Sequence, residues 1–306
     1  MWWANFKLLA FCCGRGPLCE NRSPTLLAFA SVLLLPMSPV DSAAKEKKKR
    51  RRSVDAEEAG EKGSGPKSQF VTYASKGALK VIGLAICVWI LKHLSETEQY
   101  GNGTKNFFFS FALYYLLGVF EDLLGSVSAN LIGIEVERSF NKPFLSSSLK
   151  EFWTLRWNQH VAKLLKVVVY APIVEGSLIH THSDVKGLKS KKGRSNKSQR
   201  PMPLHIRILG TMGTFLMSGI MHEIVFMFIS DSFTLSWLLY FTLQGVYVLM
   251  EGILVHLLLA RLGIKSLPKW LTIPLTISFL LVSAEWHFFK PLRVHGIDTA
   301  GKSNGQ

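Results

Sequence analysis

The chain has 306 residues, of which 48% are hydrophobic and only 19% are charged. Soluble domains carry about 25% charged residues, and the mean hydropathy of this chain is positive, +0.21, although it contains two strongly charged stretches. With only four cysteines, the composition excludes a disulfide-bonded scaffold as well as an ordinary soluble domain and a disordered chain. It indicates a multi-pass membrane protein.

The net charge of +15, from 36 basic and 21 acidic residues, is concentrated in two places. Residues 45–52 and residues 183–200 each contain seven basic residues and one acidic residue. A nucleic-acid-binding face would interleave such residues with aromatic side chains on a folded surface, so we predict no nucleic acid as a partner. Basic loops between apolar segments are typical of the cytosolic side of a membrane protein.

In chain order, the sequence predicts three regions. Residues 1–40 carry N-terminal apolar membrane segments, residues 41–69 form a basic, polar cytosolic linker, and residues 70–306 form the membrane core, with a basic cytosolic loop at 183–200. A membrane span needs about 20 predominantly apolar residues. Apolar runs of roughly this length predict about five or six spans, at 24–40, 77–94, 107–134, 205–229, 235–259 and 271–289.

The connections between these runs add two expectations. Because the loop between the runs at 205–229 and 235–259 is very short, we expect these two spans to form an antiparallel hairpin. Residues 141–174 are amphipathic rather than uniformly apolar, and they predict a helix that is interfacial or half-inserted in the membrane. The fold class is therefore all-α, a multi-pass helical membrane bundle.

Ionisable residues in a membrane span are costly, and they are candidates for function by default. His222 and Glu223 lie inside the apolar run SGIMHEIVFMF, and Ser218 and Phe226 share the helix face of His222 because they are four residues away. A buried histidine bonded to a neighbouring helix is the simpler interpretation of His222. Glu223 points away from His222 and is expected to hold a partner on another helix, while Gly219 would allow close helix packing.

A second group of candidates lies in SLKEFWTLRWNQHVAKLL. Aromatic and basic residues recur there at spacings of three and four, which predicts one helix side formed by Phe152, Trp153, Arg156, Trp157 and His160. Tryptophan and arginine together are typical of a membrane interface, so the simpler interpretation is an anchor helix. That interpretation does not explain the polar residue Asn158.

Together, FWTLRWN and FLMSGIMHE resemble the wax synthase (long-chain-alcohol O-fatty-acyltransferase) branch of the membrane-bound O-acyltransferase superfamily, whose plant members carry similar FWxxRWN and SGxxHE segments. The likeness extends to WANFKLLAF, PFLSSSLKEFW, VYAPI and the tail after Leu271. It implies transfer of a fatty acyl group from acyl-CoA to a long-chain alcohol or another lipid hydroxyl, among membrane lipids in the endoplasmic reticulum membrane. Acyl-CoA is then a co-substrate, and no further cofactor and no metal are implied.

The resemblance assigns roles to individual residues. His222 matches the catalytic histidine, which as a general base is worth typically 10²–10⁴-fold in rate, and Asn158 matches the second active-site polar residue. The Asn158 amide would either stabilise the oxyanion or orient His222. We expect five residues around these two to bind substrate: Arg156, Trp157, Trp153, Glu223 and Ser218. Of the basic residues, Arg156 and Lys163 are expected to lie near the anionic CoA head group.

The chain also departs from the family pattern. Relatives usually carry two or three spans before the segment like WANFKLLAF. The resemblance therefore implies a bundle that lacks the first family spans, either because the gene product is truncated or because the sequence is incomplete. Gln159 and His160 replace residues that are usually apolar, and the loop at 183–200 is long. Three alternatives remain open: an inactive family member that binds lipid, a sterol or diacylglycerol O-acyltransferase, and a transporter whose ion path uses His222, Glu223 and Glu251.

Overall fold

The computed structural model describes residues 2–20, 25–35, 66–96, 101–128, 136–179, 202–264 and 267–295. The basic cluster at 45–52 and the basic loop at 183–200 lie outside these ranges, so the predicted division into three regions stays a prediction.

Three short helices begin the chain: α1 (Trp2–Cys12), α2 (Pro17–Glu20) and α3 (Leu26–Leu34). Lys7 of α1 donates from Nζ to the backbone oxygens of Val32 and Leu35, both at 2.6 Å, and so binds the C-terminal carbonyls of α3. With 11 and nine residues, α1 and α3 are each shorter than the roughly 20 residues of a span. The span predicted at 24–40 is therefore seen only as the nine-residue α3, and residues 36–40 lie outside the described ranges.

Five helical spans are long and apolar enough to cross a membrane within the described residues. They are α4 (Pro66–Glu96, apolar from Gly77), α5 (Asn102–Val127), α9 (Leu204–Ser230), α10 (Ser236–Leu262) and a last span in which α11 (Lys269–Ala284) continues through a π turn (Glu285–Phe289) into α12 (Lys290–Val294). These confirm the all-α, multi-pass prediction. At most 28% of the apolar window of each span is buried, which leaves most of its surface for lipid.

The spans pair as hairpins. In the first, Lys80 of α4 forms an ion pair with Asp122 of α5 at 2.8 Å, and Gly83 packs against the ring of Tyr115, so the two helices run antiparallel. In the second, α9 and α10 pack along their length, as expected from the short loop between them. Gly219 is needed there, because a Cβ at that position would lie 2.8 Å from the backbone oxygen of Leu238.

Between these hairpins lies the motif segment, residues 136–179, which is made of short helical pieces. They are a 3₁₀ turn (Pro143–Leu145), α6 (Leu149–Glu151), a π turn (Phe152–Arg156), α7 (Gln159–Leu165), a second π turn (Lys166–Tyr170) and α8 (Ala171–Glu175). The single helix side predicted for residues 152–160 is wrong. The helix ends after Arg156 and begins again at Gln159, so the aromatic and basic side chains point in different directions.

The motif segment is inserted into the bundle. Trp153 Nε1 donates to Gln244 Oε1 at 3.3 Å, and the Leu149 backbone N–H donates to Glu251 at 3.0 Å. Both acceptors lie well inside α10 rather than at its ends. Of the two predicted placements, these contacts favour the half-inserted one over the interfacial one. Such backbone is tolerated at membrane depth only where it is buried in protein.

Three carboxylates within the spans share one type of partner, namely backbone N–H groups. Glu121 of α5 accepts from Ser139, Glu251 of α10 accepts from Leu149 and Lys150, and Glu223 of α9 accepts from the loop and first turn that begin α10. An unsatisfied polar group in a membrane costs several kcal/mol. Each bond therefore satisfies an acid and a backbone donor at the same time.

Candidate active site

His222 lies in α9 with its ring held from two sides. Its Nδ1 is 2.7 Å from the backbone oxygen of Ser218, and its ring stacks on Phe241 with the centroids 3.9 Å apart. A carbonyl oxygen can only accept, so Nδ1 carries the proton of this bond. In the neutral ring the lone pair is then on Nε2, which is the arrangement that a general base requires.

Glu223, the next residue, is 2% exposed and is bound by the start of α10. Its Oε1 accepts from the backbone N–H of Leu235 at 2.6 Å and from both the backbone N–H and the hydroxyl of Thr234. Its Oε2 accepts from the backbone N–H groups of Trp237 at 2.9 Å and Leu238 at 3.2 Å. The prediction that Glu223 holds a partner on another helix is confirmed, and the partner is the N-terminus of α10.

Trp153 of the motif segment contacts Phe241, the same residue on which His222 stacks. Its indole packs edge-on against Phe241, with the centroids 5.7 Å apart, and Phe241 carries the stacked ring of His222. Trp157 lies farther along the segment, stacked on Phe152 at 5.5 Å and in edge contact with Phe140. Of the two tryptophans, Trp153 shares a contact residue with His222.

Asn158 sits at the break between the two halves of the motif segment. It has the left-handed conformation (φ 40°, ψ 62°), which Asn tolerates better than most residues, and its Oδ1 accepts from Val161 N–H at 3.5 Å to cap α7. From Asn158 onward the segment runs antiparallel to α9. Val161 packs with Met221, and Tyr170 packs against Gly210. The helix that follows Asn158 therefore packs against the part of α9 that carries Met221, the residue before His222.

The two predicted CoA-binding cations are engaged within the motif segment. Arg156 pairs with Glu151 at 2.8 Å and donates to the backbone oxygens of Asn141 and Lys142. Lys163 pairs with Glu137. Arg156 therefore holds together the two ends of the 141–156 stretch, and its contact with CoA, like the substrate-binding roles of Trp157, Glu223 and Ser218, stays a prediction.

Two residues of this site were given no role from the sequence alone. Gln244 is fully buried and connects Trp153 to Ser283 of α11, to which its Nε2 donates at 2.9 Å. An amide in the middle of a span was a visible signal, but it pointed equally to a structural role. Phe241, which carries the ring of His222, had no signal, because phenylalanine is common in spans.

His160 is the buried polar residue of the segment that the described structure leaves without a hydrogen-bond partner on either ring nitrogen. Burial lowers its pKa to about 4, and the nearby charges of Lys163 and Lys7 act in the same direction, against a smaller opposite effect of the Glu137 backbone. The imidazole is therefore neutral at physiological pH. Burying an unpaired polar group costs about 1–3 kcal/mol.

We therefore expect His160→Leu to stabilise the protein, raising the melting temperature of the detergent-solubilised chain by a few degrees. The effect should be larger at pH 5 than at pH 7.5, because the unfolded histidine takes up a proton below about 6.5 while the folded one does so only near 4. The fold is thus penalised as the pH falls. A lower melting temperature for the variant would show that the imidazole has a partner in the protein.

The model of the membrane bound O-acyl transferase family matches residues 136–243, a stretch that runs from the motif segment through His222 to Phe241. No solved structure matches the chain.

Three curated plant proteins are similar over almost the whole chain. Acyl-CoA--sterol O-acyltransferase 1 of Arabidopsis thaliana is 28% identical over 94% of this chain and 71% of its own length. The long-chain-alcohol O-fatty-acyltransferase of Simmondsia chinensis is 28% identical over 97% and 74%. Probable long-chain-alcohol O-fatty-acyltransferase 3 of Arabidopsis thaliana is 25% identical over 95% and 72%. Residues 136–243 therefore match the membrane-bound O-acyltransferase family, and almost the whole chain is similar to acyltransferases named for long-chain alcohols or for a sterol.

Proposed function

We propose that this acyltransferase forms wax or related neutral esters in the endoplasmic reticulum membrane, from a fatty acyl-CoA and a long-chain alcohol, with His222 as the general base. The observation that carries the proposal is the His222 ring. Its Nδ1 is bound to Ser218 and its face rests on Phe241, which leaves the Nε2 lone pair for a substrate proton.

In the proposed reaction, His222 Nε2 takes the proton of the acceptor hydroxyl while the oxygen attacks the thioester carbon. The resulting oxyanion collapses, the carbon–sulfur bond breaks, and the CoA thiolate leaves with the proton that the imidazolium returns. The carboxamide of Asn158 would either donate to the oxyanion or orient His222. The packing of the motif segment against α9 supports donation to the oxyanion and orientation of His222 equally.

A sterol is the second candidate acceptor. The relative named for sterols and the Simmondsia chinensis relative named for long-chain alcohols are each 28% identical to this chain. Sequence likeness therefore does not separate a flat ring system from a straight chain. We rank the alcohol first because the third relative described above is also named for long-chain alcohols.

The contacts of the membrane carboxylates argue against a transporter. A proton or ion path needs acids that exchange protons or ions along a water-lined route. Glu223 and Glu251 instead accept hydrogen bonds from backbone N–H groups. These bonds hold the acids as structural acceptors, which supports an enzyme over an ion carrier.

The test is expression of the full chain in cells that make no neutral lipid, followed by assay of their microsomes with a labelled acyl-CoA. Long-chain alcohol, sterol and diacylglycerol are offered separately, and the esters are identified by mass spectrometry. We expect ester from the alcohol. Ester from sterol alone would make the chain a sterol acyltransferase, and no ester from any acceptor, with the protein present in the membrane, would favour the inactive lipid-binding relative.

A further inference from the structure

We propose that Glu223 is a positioning residue for His222, acting through the N-terminus of α10 and the ring of Phe241. The inference rests on the proposed function and adds a residue that sets the geometry of the base. It also gives Glu223 a role different from substrate binding, since its two oxygens are already occupied by five donors.

The contact between Glu223 and the start of α10 is strong. A carboxylate is stabilised at a helix N-terminus by the unpaired N–H groups and the helix dipole. Glu223 receives four backbone N–H groups and one hydroxyl, and no cationic side chain pairs with it among the described residues. The start of α10 is therefore the group that offsets its buried charge, and the two cannot move independently.

The loop between α9 and α10 shows that this contact is built at some cost. Asp231 (φ 51°) and Leu235 (φ 61°) both have left-handed backbones. For a bulky side chain such as that of Leu235 this conformation is unfavourable, and strain of this kind persists only where the surroundings impose it. With this backbone, the N–H groups of Thr234, Leu235, Trp237 and Leu238 point toward Glu223.

The contact of Glu223 with α10 reaches the base through Phe241. Phe241 lies in α10, one helical turn after Trp237, whose N–H binds Glu223. Its ring faces His222 at 3.9 Å. Gly219 sets the distance between α9 and α10 at a second point, because the two helices touch there without room for a Cβ. Glu223 and Gly219 therefore set how far α10, and with it Phe241, lies from the imidazole.

The test is a double-mutant cycle on kcat in microsomes, using Glu223→Gln and Phe241→Leu. Glutamine keeps the shape but turns an N–H₂ group toward backbone donors, so α10 shifts. We expect kcat to fall by about 10²-fold, as for a displacement of about 1 Å at a reacting group, while the KM for acyl-CoA changes by less than about twofold. Because Glu223 acts through Phe241, the double variant should be hardly slower than the slower single variant.

Two further variants keep the test decisive. Ser230→Ala removes a hydroxyl at the end of α9 that donates only to the backbone oxygens of Phe226 and Ser232 among the described residues, and it should leave kcat unchanged. Gly219→Ala pushes α10 away by an independent route and should reproduce the fall in kcat, including when Glu223→Gln does not accumulate.

Additive losses in the cycle, an unchanged kcat in both Glu223→Gln and Gly219→Ala, or a loss confined to KM would each overturn the inference. A wild-type chain that makes no ester would instead contradict the proposed function. Failure of the positioning role of Glu223 can therefore be distinguished from failure of the proposed function.

Discussion

Replacing His222 by alanine is expected to lower ester formation by about 10²–10⁴-fold, the usual worth of a positioned general base, while the protein still accumulates in membranes. The physical reason is that no other described group in contact with the ring can take its place. The Ser218 carbonyl already receives the Nδ1 proton, and Phe241 is apolar. The measurement is the initial rate of ester formation in microsomes with equal amounts of protein.

His256 provides the matched control. It is also a histidine within a membrane span, but its side chain is exposed on α10, so His256→Ala should keep the wild-type rate. His222→Gln should be as inactive as His222→Ala, because glutamine keeps polarity without a basic nitrogen. A His222→Ala variant with near wild-type turnover would show that the base lies elsewhere.

Removing the carboxamide of Asn158 should lower kcat by about 10²–10³-fold if it donates to the oxyanion. Glycine is the informative replacement. Alanine would lose about 1–2 kcal/mol to the left-handed backbone at φ 40°, whereas glycine adopts it freely. Loss of the weak 3.5 Å cap to Val161 costs only a few tenths of a kcal/mol with glycine.

Lys142→Gly is the control, since Lys142 is also left-handed, at φ 46°, and its side chain has no role in the proposed chemistry. Its rate should match the wild type. Asn158→Asp separates the two proposed roles. If Asn158 donates to the oxyanion, the carboxylate repels that oxyanion and activity is abolished. If Asn158 orients His222, the carboxylate still orients the imidazolium and some activity remains. An Asn158→Gly variant with full activity would contradict both roles.

The spans were predictable because length and hydropathy alone define them. The runs predicted at 205–229 and 235–259 correspond to α9 and α10, and Gly219 was correctly predicted to allow close packing. The motif segment was not predictable in detail. Its second π turn, Lys166–Tyr170, adds a residue to one helical turn and rotates the next helical piece, α8, by about 100°. A single 3.6-residue period therefore cannot describe residues 159–175.

The candidate site was predicted in part. An acid beside His222 in an apolar helix had to have a partner, which is why another helix was expected for Glu223. That the partner is a row of backbone N–H groups depends on left-handed Asp231 and Leu235, and leucine gives no signal for that conformation. The predicted grouping of residues 152–160 failed because the helix is interrupted at Trp157 and Asn158.

The carboxylates bound by backbone groups also bear on how the protein is made. A single span that carries an uncompensated acid enters the bilayer at a cost of several kcal/mol. The donor to Glu121 lies 18 residues later in the chain, and the donors to Glu223 lie 11 to 15 residues later. The donors to Glu251 lie 102 and 101 residues earlier, on chain already synthesised. Each acid can thus be hydrogen-bonded soon after it leaves the ribosome, provided that α9 and α10 leave the translocon as a pair and the motif segment already lies beside them.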